Sequence, residues 1–338
     1  MKFLLFPFSL LYGLGTFVRN QLYDWGVFSS TKFSLPIISV GNLSTGGTGK
    51  TPVVVYLANL LKDRAKLASL SRGYGRKSKG FLVANYSSTA IELGDEPLLF
   101  FNRFKTKMLV CVCEDRVLGV QKILERFKPS LILLDDAFQH RAISSSFSIL
   151  LTPFKAPYFQ DSLLPYGNLR EAKSSAKRAS VIVVTKCPTD LSEEQKQEYV
   201  KKINPTQNQK VFFSSILYSN QIYGKFGTLQ THEIKDYHVL CVSGIAHSKD
   251  FERFIKEKAL SFTEKSFPDH YNYTTQDIET ILSEFKLLPS PKIILTTEKD
   301  YMRLNEYKSL DDKLYFLPID LDIQPKEEFD SLILSQVP

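Results

Sequence analysis

The chain has few cysteines, and their arrangement excludes two classes of protein. Its 338 residues contain no CxxC pair and no histidine at metal-ligand spacing, and the four cysteines are Cys111, Cys113, Cys187 and Cys241. Neither a disulfide framework nor a cysteine-rich metal module is therefore expected. Cys111 and Cys113 lie two positions apart in a predicted strand and point to one face, which favours buried reduced thiols. Reduced thiols are typical of a cytosolic protein.

The sequence also lacks an apolar run long enough to cross a bilayer. Residues 3–18 carry no charge, but they are fewer than the roughly 20 that a spanning helix needs, and Pro7, Gly13 and Gly15 interrupt them. Only Lys2 precedes the run and no small-residue cleavage site follows it, so a signal peptide is not expected. Apolar residues then recur at spacings of three or four, at Leu11, Leu14, Val18, Leu22 and Trp25. This periodicity predicts an amphipathic helix that either lies in a membrane interface or packs on its own domain, and we favour the interface.

Neither low-complexity tracts nor repeats of fixed period occur, and the composition is that of an ordinary globular protein. Apolar residues make up 43 % of the chain and charged residues 23 %, which argues against a disordered or fibrous protein. Lys and Arg outnumber Asp and Glu by 43 to 36, with a pI near 9.0. This excess favours anionic partners such as phosphates, nucleic acid or an acidic lipid surface.

A glycine-rich loop stands between an apolar run and a helix-sized segment. Residues 41–51 (GNLSTGGTGKT) follow the apolar residues 37–40 and precede the apolar stretch 53–61. Glycines in such a loop let backbone N–H groups approach phosphate oxygens, Lys50 can reach the β and γ phosphates, and Thr51 offers a hydroxyl to Mg²⁺. Ser44 stands where the strict motif has its first glycine. The predicted nucleotide-binding residues are Ser44, Thr45, Gly46, Gly47, Thr48, Gly49, Lys50 and Thr51.

A second motif supplies carboxylates. The apolar run 131–134 ends in Asp135 and Asp136. Because α/β sheets place their ligands at the carboxyl ends of parallel strands, one of these carboxylates can hold Mg²⁺ directly or through water. Alone, two aspartates after an apolar run are a weak signal for a Mg²⁺ site. Together with the glycine loop upstream, they become a strong one.

Strand-like runs separated by helix-sized stretches predict βαβ units. In the first part of the chain they lie at 37–40, 66–70, 108–113, 131–134, 147–151, 181–185 and 211–215, and in the second at 239–242, 293–297 and 314–319. We expect an α/β protein with a P-loop NTPase-like, mostly parallel sheet flanked by helices, a second smaller α/β domain and an N-terminal amphipathic membrane-associated helix. The predicted units are the helical segment 1–35, the P-loop kinase domain 36–216, a linker 217–230 and the smaller domain 231–338, which closes over the cleft.

The order of the motifs resembles the tetraacyldisaccharide 4′-kinase family of lipid A biosynthesis nearly from end to end. Besides the aromatic N-terminal helix, the matching pieces are 39–52 (SVGNLSTGGTGKTP), 71–76 (SRGYGR), 94–97 (GDEP), 135–141 (DDAFQHR), 163–171 (LLPYGNLRE), 243–246 (SGIA), 267–271 (FPDHY) and 297–300 (TEKD). Several motifs in one order are far more specific than any single one.

The resemblance implies a reaction and a set of residues for it. The γ phosphate of ATP would pass to the 4′-hydroxyl of a tetraacylated glucosamine disaccharide 1-phosphate, with Asp95 as base, His270 as its partner and Lys50 on the phosphates. Thr51, Glu96 and Asp135 or Asp136 would organise Mg²⁺. Arg116 and Arg170 are candidates to neutralise phosphoryl charge, and each has a structural ion pair as its alternative. The full set of implied substrate or phosphate contacts is Arg72, Tyr74, Arg116, Gln139, His140 and Arg170.

The resemblance also implies partners and a place in the cell. The cofactors would be ATP and Mg²⁺, and the partners a lipid A disaccharide precursor and the inner-leaflet surface, with no nucleic acid and no obligate protein partner. The enzyme would sit at the cytoplasmic face of the bacterial inner membrane, peripheral or monotopic. Arg19, Lys32, Arg72 and Arg76 would meet anionic headgroups or the 1-phosphate, or else be ordinary solvated charges.

Two other readings remain open from the residues alone. A P-loop GTPase switch or metallochaperone would use residues 185–190 (TKCPTD) to read guanine and Cys111 with Cys113 to bind metal, but the Lys-to-Asp spacing is too long and the thiols lie in a predicted strand. A soluble P-loop small-molecule kinase or ligase would leave the N-terminal segment unexplained. Nucleotide preference and detergent dependence discriminate between these readings.

Overall fold

The apolar runs of the sequence form the strands of two sheets. The computed structural model describes residues 2–246 and 248–337. Its strands are β1 (Ile37–Asn42), β2 (Leu67–Ser71), β3 (Leu82–Val83), β4 (Met108–Val112), β5 (Leu131–Asp135), β6 (Phe147–Pro153), β7 (Val181–Thr185), β8 (Lys210–Tyr218), β9 (Gln221–Gly224), β10 (Thr228–Gln230), β11 (His238–Ser243), β12 (Ser261–Ser266), β13 (Lys292–Thr297), β14 (Leu314–Leu317) and β15 (Ile319–Gln324).

Helices cover the faces of these sheets. The α-helices are α1 (Phe6–Asp24), α2 (Lys50–Leu61), α3 (Ala90–Leu93), α4 (Asp95–Phe104), α5 (Arg116–Phe127), α6 (Glu193–Ile203), α7 (Lys249–Lys256), α8 (Thr275–Leu287), α9 (Glu298–Leu304) and α10 (Lys326–Leu334). Short 3₁₀ helices cover Lys2–Leu5, Lys105–Lys107, Tyr158–Gln160, Lys173–Arg178, Thr231–Asp236 and Lys308–Leu310.

The larger sheet carries the glycine loop at its centre. Among the described residues it has nine strands in the order β15-β8-β7-β6-β1-β5-β2-β4-β3. Strands β8 to β4 of this order run parallel, and β15 and β3 are antiparallel edge strands. Each residue of β1 and β5 is buried, as expected for parallel strands covered on both faces. Val40 pairs with Asp135, so the loop after β1 and the carboxylates after β5 meet at one edge.

The smaller sheet has six strands within the described ranges, in the order β10-β9-β14-β13-β11-β12. Its four later strands are parallel, and β9 and β10 add an antiparallel hairpin. The observed architecture confirms the predicted fold class: a large, mostly parallel sheet flanked by helices, a smaller α/β sheet and an N-terminal helix.

Two predicted boundaries differ from the observed elements. Residues 217–230, expected to be a linker, contain the end of β8 and the hairpin β9–β10. The run 314–319, expected to be one strand of the smaller domain, divides at Pro318 into β14 of the smaller sheet and β15 of the larger one. Pro318 lies between the two strands and cannot donate a ladder hydrogen bond, and neither ladder includes it. Helix α10 follows β15, and the ring centroids of Phe329 and Phe212 lie 5.0 Å apart in the core of the larger unit.

Helix α1 is continuous through Gly13 and Gly15, which the sequence suggested as interruptions. Pro7 sits in the first turn, where its missing N–H has no role. A Cβ at Gly13 would lie 2.7 Å from Leu163 Cδ1, so this glycine permits close packing of α1 on the loop 161–171. Ser9 Oγ also donates to Leu163 O at 3.1 Å. Neither α1 nor any other described helix combines the length and apolar character that crossing a membrane requires.

Candidate active site

The glycine loop is held in shape by its neighbours. Gly46 and Gly49 have φ of 94° and 89°, a region that favours glycine, and Gly49 is the N-cap of α2. Thr185 Oγ1 at the end of β7 donates to Thr48 O at 2.8 Å. Lys186 Nζ donates to Gly47 O at 2.7 Å. The loop is thus presented at the positive end of the α2 dipole, which is an anion-binding arrangement.

Lys50 and Thr51 begin helix α2 and face acidic and amide groups. Lys50 Nζ lies 3.3 Å from Asn42 Oδ1 and 3.8 Å from Asp136 Oδ1. Thr51 Oγ1 donates to Glu96 Oε1 at 2.8 Å. Two residues predicted to serve Mg²⁺, from different motifs, are therefore in direct contact.

Asp135 and Asp136 have opposite electrostatic environments. Burial, together with the nearby Glu96 charge, raises the pKa of Asp135 to about 8, and its Oδ1 has no hydrogen-bond partner within the described structure. Burial also acts on Asp136, but the Lys50 and Arg170 charges hold its pKa below the usual range. Arg170 donates from one terminal nitrogen to Asp136 Oδ1 at 3.1 Å. Burying a carboxylate oxygen without a hydrogen-bond partner costs free energy, so a cation or a proton at Oδ1 of Asp135 would stabilise the site.

These oxygen donors fit Mg²⁺. The ion prefers hard oxygen ligands and is commonly held by one or two carboxylates together with substrate phosphates rather than by a protein cage. The described residues hold no group of three or more His, Cys, Asp or Glu side chains arranged as a metal cluster. Thr51, Glu96 and Asp135 supply a hydroxyl and carboxylates beside the glycine loop.

Asp95 and His270 come together across the two sheets. Gly94, with φ of 91°, precedes α4 and places Asp95 in its first turn. His270 Nδ1 lies 3.1 Å from Asp95 Oδ2, and Asp95 is only 3 % exposed. Burial alone would raise the pKa of Asp95, but hydrogen bonds from His270 and Arg303 lower it.

The second nitrogen of His270 indicates its tautomer. Lys299 Nζ lies 3.0 Å from His270 Nε2. An ammonium group can only donate, so Nε2 accepts and the proton sits on Nδ1, which then donates to Asp95. The Tyr74 and His270 ring centroids are 4.9 Å apart, which brings one implied substrate residue to this pair.

The other implied substrate residues lie in different settings. Arg116 is buried and donates to Cys113 O at 2.8 Å and Glu114 O at 3.2 Å, and burial lowers its pKa to about 10. Gln139 donates to Asn42 O at 2.9 Å. Burial and the Arg116 charge lower the pKa of His140 to about 4. Arg72 is exposed, and its contact with substrate stays a prediction.

Sequence reasoning missed Arg303, which lies on α9 directly after the TEKD motif. Its Nε donates to Asp95 Oδ1 at 2.5 Å. A lone arginine three residues after Asp300 forms no motif of its own. The signal that could have indicated its role was its position on the same short helix as Asp300.

A phosphate-binding strand–loop–helix at the centre of a parallel sheet, with carboxylates on the next strand, defines a nucleotide-binding α/β protein. The family model described as "Tetraacyldisaccharide-1-P 4'-kinase" (LpxK) matches residues 1–338. The chain belongs to this family. It is therefore an ATP-dependent phosphotransferase of lipid A biosynthesis, as the motif order predicted.

Individual relatives agree with the family match. A tetraacyldisaccharide 4'-kinase of Flavobacterium johnsoniae is 44 % identical, covering 100 % of this chain and 97 % of the relative. One of Parabacteroides distasonis is 41 % identical, covering 99 % and 94 %. The crystal structure of an "apo" form of LpxK from Aquifex aeolicus in complex with ATP superposes with a TM-score of 0.78 at 33 % identity, covering 100 % of this chain and 99 % of that one. The GTPase and small-molecule kinase readings are not favoured.

Proposed function

We propose that the chain transfers the γ phosphate of ATP to the 4′-hydroxyl of a tetraacylated glucosamine disaccharide 1-phosphate, with Asp95 as the general base. The observation that carries this assignment is the first turn of α4. There Asp95 faces His270 at 3.1 Å, and its neighbour Glu96 accepts a hydrogen bond from Thr51 of the glycine loop at 2.8 Å. Consecutive residues thus connect the candidate base to the phosphate end of the site.

The proton and phosphoryl steps follow from these positions. The 4′-hydroxyl gives its proton to the Asp95 carboxylate as its oxygen bonds to the γ phosphorus, while the bond from that phosphorus to the β–γ bridging oxygen breaks and ADP leaves. His270 orients the carboxylate through Nδ1–H. Lys50, with backbone N–H groups of residues 44–51, holds the phosphates.

Thr51, Glu96 and Asp135 or Asp136 would hold Mg²⁺ on the nucleotide phosphates. The ion would neutralise charge that builds up on the transferred group. Arg170 is ion-paired with Asp136 at 3.1 Å. In this proposal Arg170 either holds that carboxylate in place beside the phosphates or rotates to contact the phosphates directly. Arg72, Tyr74, Arg116, Gln139 and His140 would contact substrate or phosphate groups in the cleft between the two sheets, which we treat as two domains.

Helix α1 would bring the enzyme to the acceptor's acyl chains. The predicted apolar stripe faces outward, with Leu11 67 % exposed and Leu14 60 % exposed, while its polar residues Ser9, Tyr12 and Arg19 contact the loop 161–171. An apolar helix face turned away from the protein suits the headgroup boundary of a bilayer. We therefore place the enzyme at the cytoplasmic face of the inner membrane, as a peripheral or monotopic protein.

The test is a transfer assay with product mapping. Purified protein is incubated with γ-labelled ATP, Mg²⁺ and the tetraacyl disaccharide 1-phosphate in mixed micelles, with an acceptor already phosphorylated at the 4′ position as matched control. Label at the 4′ position of the first acceptor and none on the second is expected. Transfer to the control, or none to either, contradicts the proposed acceptor. Asp95→Asn, compared with Asp63→Asn on the surface, then tests the base.

A further inference from the structure

We infer that Arg303 is a positioning residue for this phosphoryl transfer, because its guanidinium fixes the Asp95 carboxylate and the His270 turn in one arrangement. The inference rests on the proposed role of Asp95 and adds a residue to which no function is otherwise assigned.

Helices α4 and α9 pack side by side, and ion pairs join them at both ends. Arg103 near the end of α4 donates from Nε to Glu298 Oε1 at the start of α9, at 2.7 Å. Arg303 near the end of α9 donates to Asp95 at the start of α4. The helices therefore run in opposite directions, and α9 belongs to the smaller unit while α4 belongs to the larger one. Arg303 makes the ion pair at the end of this helix contact that lies beside Asp95 and His270.

The guanidinium of Arg303 joins two components of the site. On one side Nε donates to Asp95 Oδ1 at 2.5 Å. On the other a terminal nitrogen donates to His270 O at 2.5 Å, to Tyr271 O and to Asn272 Oδ1 at 3.0 Å. The side chain is 12 % exposed, so these contacts are largely shielded from water. The planar guanidinium holds its donors on separate nitrogens in a fixed fork, whereas the three donors of a lysine ammonium share one nitrogen and cannot reproduce that geometry.

Each Asp95 oxygen therefore has its own partner. Oδ1 accepts from Arg303, and Oδ2 lies 3.1 Å from His270 Nδ1. The rotation of the carboxylate is fixed, and so is the oxygen that His270 contacts.

The turn at His270 also depends on this guanidinium. His270 has φ of 58°, a left-handed conformation that non-glycine residues adopt at a cost. The carbonyl groups of His270 and Tyr271 both accept from Arg303, which stabilises the turn and with it the direction of the imidazole ring. Arg303 thus acts on both members of the Asp95–His270 pair without needing to touch a reacting atom.

The pair Arg103–Glu298 supplies a matched control. It joins the same two helices with similar burial, since the side chains of Arg103 and Glu298 are 18 % and 11 % exposed. Within the described part of the chain, neither residue hydrogen-bonds to Asp95 or His270. A purely structural role for Arg303 predicts that Arg103→Ala and Arg303→Ala act alike. A positioning role predicts that they differ in turnover.

The experiment measures kcat, KM for ATP and thermal stability of the full chain with the lipid acceptor. Arg303→Ala should lower kcat by about 100-fold, the size of loss that small misplacement of reacting groups produces, with KM for ATP changed by less than about threefold. Arg303→Lys should recover only a small part of the loss. Added guanidinium ion should partly restore the alanine variant and leave wild type unchanged. Arg103→Ala should keep kcat within about threefold of wild type.

A second readout asks whether Arg303 acts through Asp95, which its guanidinium contacts directly. If it does, Arg303→Ala made in the Asp95→Ala background should cost less than about tenfold, because residues that work as a unit are non-additive. Multiplicative losses, equal effects at Arg103 and Arg303, or near-normal kcat in Arg303→Ala would each overturn the inference. If the alanine variant does not fold, Arg303→Lys carries the test, with a loss of kcat only slightly smaller than that expected for alanine. Absence of lipid phosphorylation by wild type would instead reject the proposed function itself.

Discussion

The guanidinium of Arg19 on helix α1 lies 2.7 Å from Oε1 of Glu171, a carboxylate whose side chain is 0 % exposed. Arg178 holds the other oxygen of Glu171 at 2.7 Å. Arg170, the residue before Glu171, accepts a hydrogen bond from the Tyr12 hydroxyl through its backbone carbonyl. The Arg170 side chain donates to Asp136. One short loop therefore connects the N-terminal helix to the phosphate end of the site.

Replacing Arg19 should destabilise the fold, because a buried carboxylate would lose one of its two cationic partners. Arg19→Met should lower the free energy of unfolding by about 1 kcal/mol, the lower end of the roughly 1–3 kcal/mol that an unsatisfied buried polar group costs. The loss is at the lower end because Arg19 is partly exposed and Arg178 still holds Glu171. Urea unfolding followed by circular dichroism measures the change. Lys107→Met, which breaks an exposed pair with Asp63, is the control and should have little effect. Equal results for the two variants would contradict the prediction.

Replacing Lys50 should abolish turnover, since its ammonium is the cation at the end of the glycine loop. Lys50→Ala should lower kcat by about 100-fold or more, and Lys62→Ala at the other end of α2 serves as the matched control. The measurement is phosphate transfer at saturating ATP, with melting temperature as the check on folding. Near-normal activity of a folded Lys50→Ala protein would reject the phosphate role of this loop.

The outward face of α1 should control membrane binding without affecting the fold. A deletion of residues 1–21 is an ambiguous test, because it also removes Arg19, one of the two cationic partners of Glu171. The double variant Leu11→Glu with Leu14→Glu changes only exposed positions. It should reduce binding to anionic vesicles and transfer to the lipid acceptor, while ATP hydrolysis without lipid stays unchanged.

Leu287→Glu is the control for that variant, since Leu287 is 85 % exposed but lies on α8. Vesicle sedimentation and light scattering measure binding. Loss of both hydrolysis and lipid transfer, with a lowered melting temperature, would show that this face belongs to the fold.

The pH dependence of stability should include a contribution from His140. Burial and the Arg116 charge lower its pKa to about 4, against about 6.5 in an unfolded chain. Protonation of His140 therefore favours the unfolded state. The contribution of His140 to the free energy of unfolding is fully present above pH about 6.5 and is lost as the pH falls toward 4. In His140→Gln the free energy of unfolding should change less between pH 7 and 5 than in wild type. His232→Gln, at an exposed position, should keep the wild-type dependence.

The sequence predicted those parts of the molecule that depend on local pattern. Strands β1 and β5 are buried on both faces, so each reads as a continuous apolar run, and the glycine loop is specific through its spacing. Strand β12 reads SFTEKS and is half exposed at an edge, which leaves little periodicity to detect. The return of β15 to β8 is a pairing between distant segments that no local signal specifies.

The same distinction applies to the site. Asp95 and Glu96 were found through the motif that starts α4, and Lys50 and Thr51 through the loop. Arg303 was missed because its role depends on how α9 packs on α4, a relationship between elements about 200 residues apart. Residues whose role depends only on tertiary packing have no characteristic spacing in the sequence.

Asp95 and His270 should act as one unit in catalysis, although they lie 175 positions apart and in elements of different sheets. Each single replacement, Asp95→Ala or His270→Ala, should lower kcat by about 100-fold or more, as loss of general base catalysis does, with ATP binding largely retained. The double variant should then cost little beyond the worse single one, because the imidazole acts through the carboxylate. His232→Ala is the control for histidine replacement at a surface position. The measurement is kcat for lipid phosphorylation by all four folded variants, with nucleotide affinity determined separately by calorimetry. Losses that multiply would mean that His270 binds substrate independently, and an unaffected Asp95→Ala rate would exclude Asp95 as the base.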